Sequence, residues 1–371
     1  MLIVLYVFFV IATLILICYN LCLFYRFVRY EEPKQAVYKP PVSVLICAKD
    51  EAENLKSFLP DVYNQDYPNF EVVLINDRSI DDTLEVMQMY RDQHPEQTVL
   101  VNVPHSNDNR LTGNKKYALT LGIKAARYNH LLFTDADCKP VSNSWIQIMA
   151  EKFNNNKQIV LGYGKYQIIT GWLNKLIRFE TLQTAVQYFS YALAGMPYMG
   201  VGRNLAYTKD LFMQNNGFYN HLDVLSGDDD LFVNETATVQ NTAVAINSQC
   251  FTLSVPKTSW KKYFYQKRRH ISSANYYQTK HKFWLGLYSL SLFIFWGAGL
   301  LLLFLSNYKM WVLVLMSVRL SVSWFILHRS AQKLKENHLI FWFPLLEISL
   351  LCLHLLIFVF NLYKKPLRWT S

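Results

Sequence analysis

Cysteine is sparse and scattered. The chain has six in 371 residues (Cys18, Cys22, Cys47, Cys138, Cys250, Cys352), with no CxxC pair and no His/Cys cluster. That pattern argues against a zinc site or a disulfide framework and fits a reducing cytosol. Charge is missing altogether from residues 1–25, MLIVLYVFFVIATLILICYNLCLFY. The run is long enough to cross a bilayer as a helix. It lacks the basic start and small-residue cleavage site of a signal peptide, so it reads as an uncleaved anchor. Internal repeats and low-complexity tracts are absent as well. The net charge of +10 gathers near the membrane flanks and has no RNA- or DNA-binding motif beside it. Attraction to anionic membrane lipid is the reading, with no nucleic-acid partner.

The 52% hydrophobic content is uneven. Residues 30–280 are mixed, charged and punctuated by Gly, Pro and Asn, as a water-soluble domain should be. Apolar stretches return at about 283–306, 310–328 and 339–363. Arg26, Arg29, Lys34 and Lys39 follow the first span, and Lys280, His281 and Lys282 precede the second. The positive-inside rule then predicts an integral protein of the plasma membrane with its catalytic domain in the cytoplasm. The expected organisation is an anchor at 1–25, a cytoplasmic domain at 26–282 and a C-terminal transmembrane region at 283–371. One feature conflicts with it: Lys364, Lys365 and Arg368 would lie outside if all four segments cross. Either the C-terminus breaks the charge bias or one C-terminal segment does not span. Arg319 and Glu347 fall near mid-membrane depth, where ionisable groups are rare and usually paired. A structural ion pair between helices is expected.

Within the domain, short β-branched runs alternate with helical patterns. Val42–Cys47, "EVVLIND" (71–77), "VLVNV" (99–103) and "HLLFTDAD" (130–137) read as strands, and "NKKYALTLGIKAARY" (114–128) as a helix. Alternation of this kind predicts an α/β fold with a mostly parallel sheet covered on both faces. Ligands of such sheets bind beyond the carboxyl ends of the strands. Asp50, Asp77 and the pair Asp135/Asp137 all fall at such ends. Four acids on one rim need a positive partner.

These segments resemble the family 2 glycosyltransferases, whose nucleotide-sugar-binding domain is of the GT-A type, over about residues 41–270. "VSVLICAKDEAENL" resembles the opening strand and its acid cluster, with Asp50 expected at the nucleotide. "LINDRSIDDT" resembles "VDDGSTDDT", which implies that Asp77 contacts the nucleobase and puts Arg78 where glycine is usual. "GNKKYALTLGI" resembles the "GKxxALNxGI" helix, with Lys115 at the lysine position and Thr120 replacing the asparagine. "TDADCKP" matches the DxD motif, so the resemblance implies that Asp135 and Asp137 hold a metal and the donor diphosphate. Hard oxygen ligands select Mg²⁺ or Mn²⁺. A cation there answers the repulsion between the two acids and stabilises the departing diphosphate.

"LSGDDDLFVNE" (225–235) resembles "GEDxDL", which makes Asp229 the general base and puts Asp228 in place of the usual glutamate on the acceptor side. A sugar hydroxyl is a poor nucleophile until a carboxylate takes its proton. Asp at a helix N-terminus also serves the dipole, and both roles can hold together. "YFYQKRRHIS" (263–272) resembles QxxRW, with Gln266 and Arg269 matching and His270 in place of tryptophan. The arginine fork suits a diphosphate. Imidazole offers an acceptor sugar less stacking surface, which counts against processivity. Residues 171–193 read as an interfacial helix, with Lys175 and Arg178 on its polar side. "YMGVGRNLAYTKDLF" (198–212) resembles the acceptor-side glycine segment, where Gly202, Arg203 and Asn204 approach ligand.

The resulting expectation is an inverting glycosyltransferase of cell-envelope glycan or glycolipid synthesis. It would move a sugar from a nucleotide-sugar donor, a UDP-sugar by preference, to a lipid, lipid-linked or saccharide acceptor. A processive synthase that extrudes its polymer and a non-catalytic nucleotide-sugar-binding scaffold are the alternatives. A scaffold has no use for a base such as Asp229.

Overall fold

Apolar and β-branched residues fill the strands, and their burial decides where the site can form. The computed structural model describes residues 2–33, 38–104, 115–154, 156–224 and 226–363. It opens with α1 (Leu2–Cys18), which continues through a π-helical segment, Tyr19–Phe24, into α2 (Tyr25–Arg29). The central domain begins β1 (Val42–Ala48), α3 (Ala52–Tyr63), β2 (Phe70–Asn76), α4 (Thr83–Gln93), β3 (Thr98–Asn102), α5 (Lys115–Ala125), β4 (His130–Asp135), β5 (Cys138–Pro140). It goes on with α6 (Trp145–Glu151), β6 (Ile159–Leu161), β7 (Gly164–Tyr166), α7 (Trp172–Leu193), β8 (Leu205–Thr208), α8 (Lys209–Gln214), α9 (Asp230–Thr236), β9 (Thr242–Val244), β10 (Thr252–Ser254) and α10 (Trp260–Ser273). Three long helices follow: α11 (Thr279–Leu305), α12 (Lys309–Leu334) and α13 (Phe343–Tyr363), the last preceded by a 3₁₀ turn at Asn337–Trp342.

Seven strands form one sheet in the order β3-β2-β1-β4-β8-β6-β9, and β5-β10-β7 form a smaller one. The pairs β1/β2, β1/β4 and β2/β3 are parallel; β8 runs antiparallel to both β4 and β6. This is a mixed α/β fold with a mostly parallel sheet. Every residue of β1 and β2 is buried, as expected of strands covered on both faces. The chain crosses from one side of β1 to the other between β2 and β4, so their C-terminal ends open a crevice.

The expected strands appear within two residues of their predicted ends. The helix expected at 114–128 is shorter, Lys115–Ala125, and Gly113 and Asn114 lie outside the described residues. So do Lys34, Lys364, Lys365 and Arg368.

Among the described residues, four helices are long and apolar enough to cross a membrane: Leu2–Arg29, Thr279–Leu305, Lys309–Leu334 and Asn337–Tyr363. Arg319 and Glu347 meet as expected, through two hydrogen bonds of 2.5 and 2.8 Å, and Trp296 Nε1 adds a third at 2.8 Å. A buried charge pair is tolerable when its geometry is good and its oxygens are satisfied.

The helix at 171–193 departs from the expectation of an amphipathic element with Lys175 and Arg178 on a wet side. Lys175 does sit at a membrane-edge aromatic pair, 4.2 Å over the Trp342 ring. Arg178 is buried and bonded to Glu336, while Glu180 is buried against Tyr263 and Lys267. The helix is packed on nearly every side, and its charges are solvated by protein instead of water.

Candidate active site

The crevice collects most of the predicted acids, and local backbone geometry explains how. Where β1 ends, Asp50 adopts a left-handed φ of 55°, and its Oδ1 accepts a hydrogen bond of 2.8 Å from the Ile80 N–H. Where β2 ends, Asp77 is buried and its Oδ1 accepts from Arg78 Nε at 2.9 Å. Its Oδ2 is buried without a hydrogen-bond partner. Arg78 takes φ 56°, the left-handed geometry that makes glycine the usual choice at that turn. At the end of β4, Asp135 and Asp137 approach Cys138 so that all three ligand atoms lie within 4.8 Å of one another.

The sequence itself sets a thiol, Cys138, directly after the DxD pair. Cys138 Sγ lies 2.8 Å from Ser254 Oγ and 3.3 Å from Asp137 Oδ1. Burial, reinforced by the charges of Asp137 and Asp135, raises its pKa well above the usual thiol value. The two carboxylates supply hard oxygens, the donors that Mg²⁺ and Mn²⁺ prefer. Burial and the nearby Asp135 also raise Asp137, which is what two carboxylates do when no cation separates them. The residues fit a divalent ion.

Positive charge enters from α5. Lys115 Nζ lies 2.8 Å from Asp135 Oδ1 and 3.3 Å from Asp228 Oδ2, bridging the DxD to the acidic triplet. Burial opposes its charge, but Asp135 and Asp228 outweigh that and hold its pKa above the ordinary lysine value. Asp228 in turn stays below the usual carboxylate value, because Lys115 and Lys116 overcome its own burial.

Asp229 behaves differently. Its Oδ2 accepts the Gly202 N–H at 2.7 Å and its Oδ1 the Asp230 N–H at 2.8 Å, capping α9. Burial, then the charges of Asp228 and Asp230, push it up to about 7. It is both cap and candidate base: a carboxylate tuned near neutrality suits proton abstraction at physiological pH. Asp228 and Asp229 therefore titrate apart although they are adjacent.

Gln266 and Arg269 lie half-buried on α10, and His270 is exposed near its end. Burial lowers Arg269, while Asp228, Asp135 and Asp229 all favour its charge, so it faces the same acids. This arrangement of DxD acids, a tuned carboxylate and converging cations can hold a nucleoside diphosphate and activate a hydroxyl.

A model of glycosyl transferase family 21 matches residues 4–371. The chain belongs to that family. It is a glycosyltransferase of membrane-bound, GT-A type, in keeping with the family 2 resemblance of its motifs. The mannosyltransferase PcManGT from Pyrobaculum calidifontis, solved with GDP-Man and Mn²⁺, aligns with a TM-score of 0.60 at 18% identity. That alignment covers 90% of this chain and 97% of the mannosyltransferase, and it establishes the shared fold. Poly-beta-1,6-N-acetyl-D-glucosamine synthase of Staphylococcus epidermidis is 29% identical over 118 residues, which are 32% of this chain and 26% of the synthase. Cholesterol galactosyltransferase of Borreliella burgdorferi is 38% identical over 58 residues, 16% of either chain. The matched segments thus span about a quarter or less of these relatives.

Several residues of this glycosyltransferase have roles that the sequence does not signal. Asn204, expected near the acceptor, is fully buried: it accepts from Trp145 Nε1 and donates to the carbonyls of Tyr163 and Cys250. Its side chain is spent on joining α6 to the segments around Tyr163 and Cys250. Gly202 brings backbone close to Asp229, and a Cβ there would sit 3.4 Å from Oδ2. Asp50 serves the 79–80 loop, whereas Glu51, one residue on, is raised by burial and also by the nearby Asp137 and Asp135. Glu51 is therefore the acid of that pair facing the metal-type cluster. Arg203, stacked 4.2 Å over Tyr166, adds positive charge beside Asp135 and Asp137. Lys116 is buried with Nζ donating to the carbonyls of His221, Val224 and Ser226, which fastens the approach to Asp229. Asp230 Oδ2 accepts from Ser273 Oγ at 2.5 Å and Tyr277 OH at 2.7 Å, tying α9 to the end of α10.

Proposed function

We propose that the protein transfers a sugar, with inversion, from a nucleotide-sugar donor to a lipid or saccharide acceptor at the cytoplasmic face of the plasma membrane. The observation that carries this reading is Asp229, half-buried and raised to about 7 within reach of the Lys115-bridged acids. A pure binder would gain nothing from a carboxylate held against its charged form. In this reading Asp229 takes the acceptor hydroxyl proton as that oxygen attacks the anomeric carbon from the face opposite the diphosphate. The C–O bond to the nucleotide breaks, and the nucleoside diphosphate leaves with its electron pair. Asp77 offers its unpartnered Oδ2 to the nucleobase. Gln266, Arg269 and Lys115 hold the diphosphate, with Arg203 as a further cation near it.

Asp135 and Asp137 would hold Mg²⁺ or Mn²⁺, which as a Lewis acid supplies stabilisation of the leaving group. Asp228, and His270 at the rim, border the acceptor side. The organisation we assign is an anchor at 1–25, a catalytic domain at 26–282 and a membrane-associated region from 283 on. A UDP-sugar is the expected donor class. The test is a donor screen: protein purified in detergent, a panel of nucleotide sugars with acceptor lipids, and released nucleoside diphosphate as readout. Release with one or two donors that requires Asp229 supports the reading. Tight donor binding with no release under any acceptor would leave a binding scaffold in its place.

A further inference from the structure

The last apolar helix packs unlike the other three. Helices α1, α11 and α12 hold one another along their whole length. Tyr6 meets Ser306 at one end; Phe9 stacks on Phe295 at 5.8 Å, and Asn20 Nδ2 donates to Ser323 Oγ at 3.1 Å. At the other end Lys333 Nζ donates to the Phe27 carbonyl at 3.0 Å. Helix α13 is held at both ends by the catalytic domain instead. Phe343 packs on Phe179 of α7 with centroids 6.3 Å apart. Farther along, His354 Nε2 lies 3.7 Å from Glu180 Oε1. Near the far end Phe360 meets Phe264 of α10 edge-on at 5.3 Å, and Asn361 Oδ1 accepts from Arg268 Nε at 2.8 Å.

Residues 343 to 361 extend about 27 Å at 1.5 Å per residue, nearly the thickness of a hydrocarbon core. A helix leaving the domain to cross the bilayer would carry its far end away by that distance. This one keeps its far end on α10, the helix of Arg269. Its buried residues Phe343, Leu346, Leu350, Leu353 and Ile357 recur at helical spacing and join the same core as the catalytic sheet. The exposed side carries Leu345, Leu355, Leu356, Phe358, Val359 and Leu362, with His354 and Tyr363 the polar groups exposed beside them.

We propose that α13 does not cross the membrane. It lies along the bilayer-facing side of the catalytic domain, with one stripe against α7 and α10 and the other in the acyl chains of the adjoining leaflet. Near its start, the Glu347 link to Arg319 seats its first turns against the three-helix bundle. An apolar exposed stripe on a helix roofed by protein has lipid as its fitting partner, since exposure to water would be offset by no contact. The arrangement also removes the charge conflict in the sequence. With three spans, Lys364, Lys365 and Arg368 fall on the same side as Arg26, Arg29 and Lys280, as the positive-inside rule asks. Packing carries this topology, whichever sugar is moved.

The test compares two positions that bracket α12 and α13, Asn307→Cys and Ser371→Cys, in sealed vesicles of the full-length protein. A membrane-impermeant maleimide is applied before and after detergent permeabilisation, with the parent protein as baseline and Glu53→Cys marking the side of the catalytic domain. Each variant is first required to elute from detergent gel filtration as the parent does. Three spans place Asn307 and Ser371 on opposite sides, with Ser371 reacting together with Glu53. Reaction of Asn307 and Ser371 from the same side would show that α13 crosses and would overturn the proposal. The comparison is relative, so it discriminates in either vesicle orientation.

Discussion

Asp229→Asn separates the chemistry of the proposed base from its part in the fold. Asparagine keeps the size of the side chain but has one acceptor oxygen, so only one of the Gly202 and Asp230 N–H groups keeps a good partner. That loss costs on the order of 1 kcal/mol at every pH. The pH-dependent part has the opposite sign. Asp229 is raised from 3.8 to about 7 in the folded protein, so its stabilising contribution is present below the unfolded value and is lost as pH rises through 7. At about 1.4 kcal/mol per unit, the wild type loses roughly 3 kcal/mol between pH 5 and pH 8 from this group. Asparagine loses none. Melting of both proteins in detergent should therefore show the variant gaining several degrees relative to wild type over that interval, at roughly 2–4 °C per kcal/mol. Sugar transfer should fall at least ~100-fold while donor binding persists. Wild-type transfer by the variant would reduce Asp229 to a helix cap. A melting difference independent of pH would show that the carboxyl is not held near neutrality.

Excess EDTA should abolish turnover, with Mn²⁺ or Mg²⁺ restoring it; full activity in chelator would take the metal out of the reaction. Asp137→Ala should weaken nucleotide-sugar binding itself, measured by calorimetry in the presence of cation, whereas Asp229→Asn should leave that binding nearly unchanged. Arg319→Ala strands the Glu347 carboxylate in the helix bundle and should cost about 3–5 kcal/mol, while the double replacement Arg319→Met/Glu347→Leu should be far milder. Equal damage from both would mean that the pair is not the source of the penalty. Products should be short, one or a few sugars on lipid, because α11 offers few side chains able to line a saccharide channel and His270 gives a weak stacking platform. High-molecular-weight saccharide released into the lumen of reconstituted vesicles would contradict that.

The sheet was legible because its strands announce themselves twice, by β-branched apolar runs and by acids placed at their ends. Those acids stand at the carboxyl ends of the strands, so they mark the crevice. The apolar helices were legible by length alone, and the Arg319–Glu347 pair by the cost of leaving either charge unpartnered in hydrocarbon. What sequence could not divide were neighbours of similar or identical type. "NKKY" contains two lysines that stand about 100° apart around one helix: Lys115 reaches the acids of the site and Lys116 turns into the 221–226 loop. Asp50 and Glu51 diverge in the same way, because Asp50 takes a left-handed turn and Glu51 opens a helix.

The triplet Asp228-Asp229-Asp230 is the clearest case. Placed at a helix start, its three carboxylates leave the backbone in three directions and meet three environments. Asp228 finds the Lys115 ammonium and stays ionised. Asp230 finds two hydroxyls, from Ser273 at the end of α10 and Tyr277 just beyond it, and becomes a fastening. Asp229 accepts two backbone N–H groups, and burial, then its acidic neighbours, push it up to about 7. A run of three like charges would be costly on a surface without purpose. Here the outer two residues create the conditions that tune the middle one, since Asp228 and Asp230 both raise it while their own partners keep them in place. The proposed base is thus specified less by its own identity than by the cation on one side and the hydroxyls on the other.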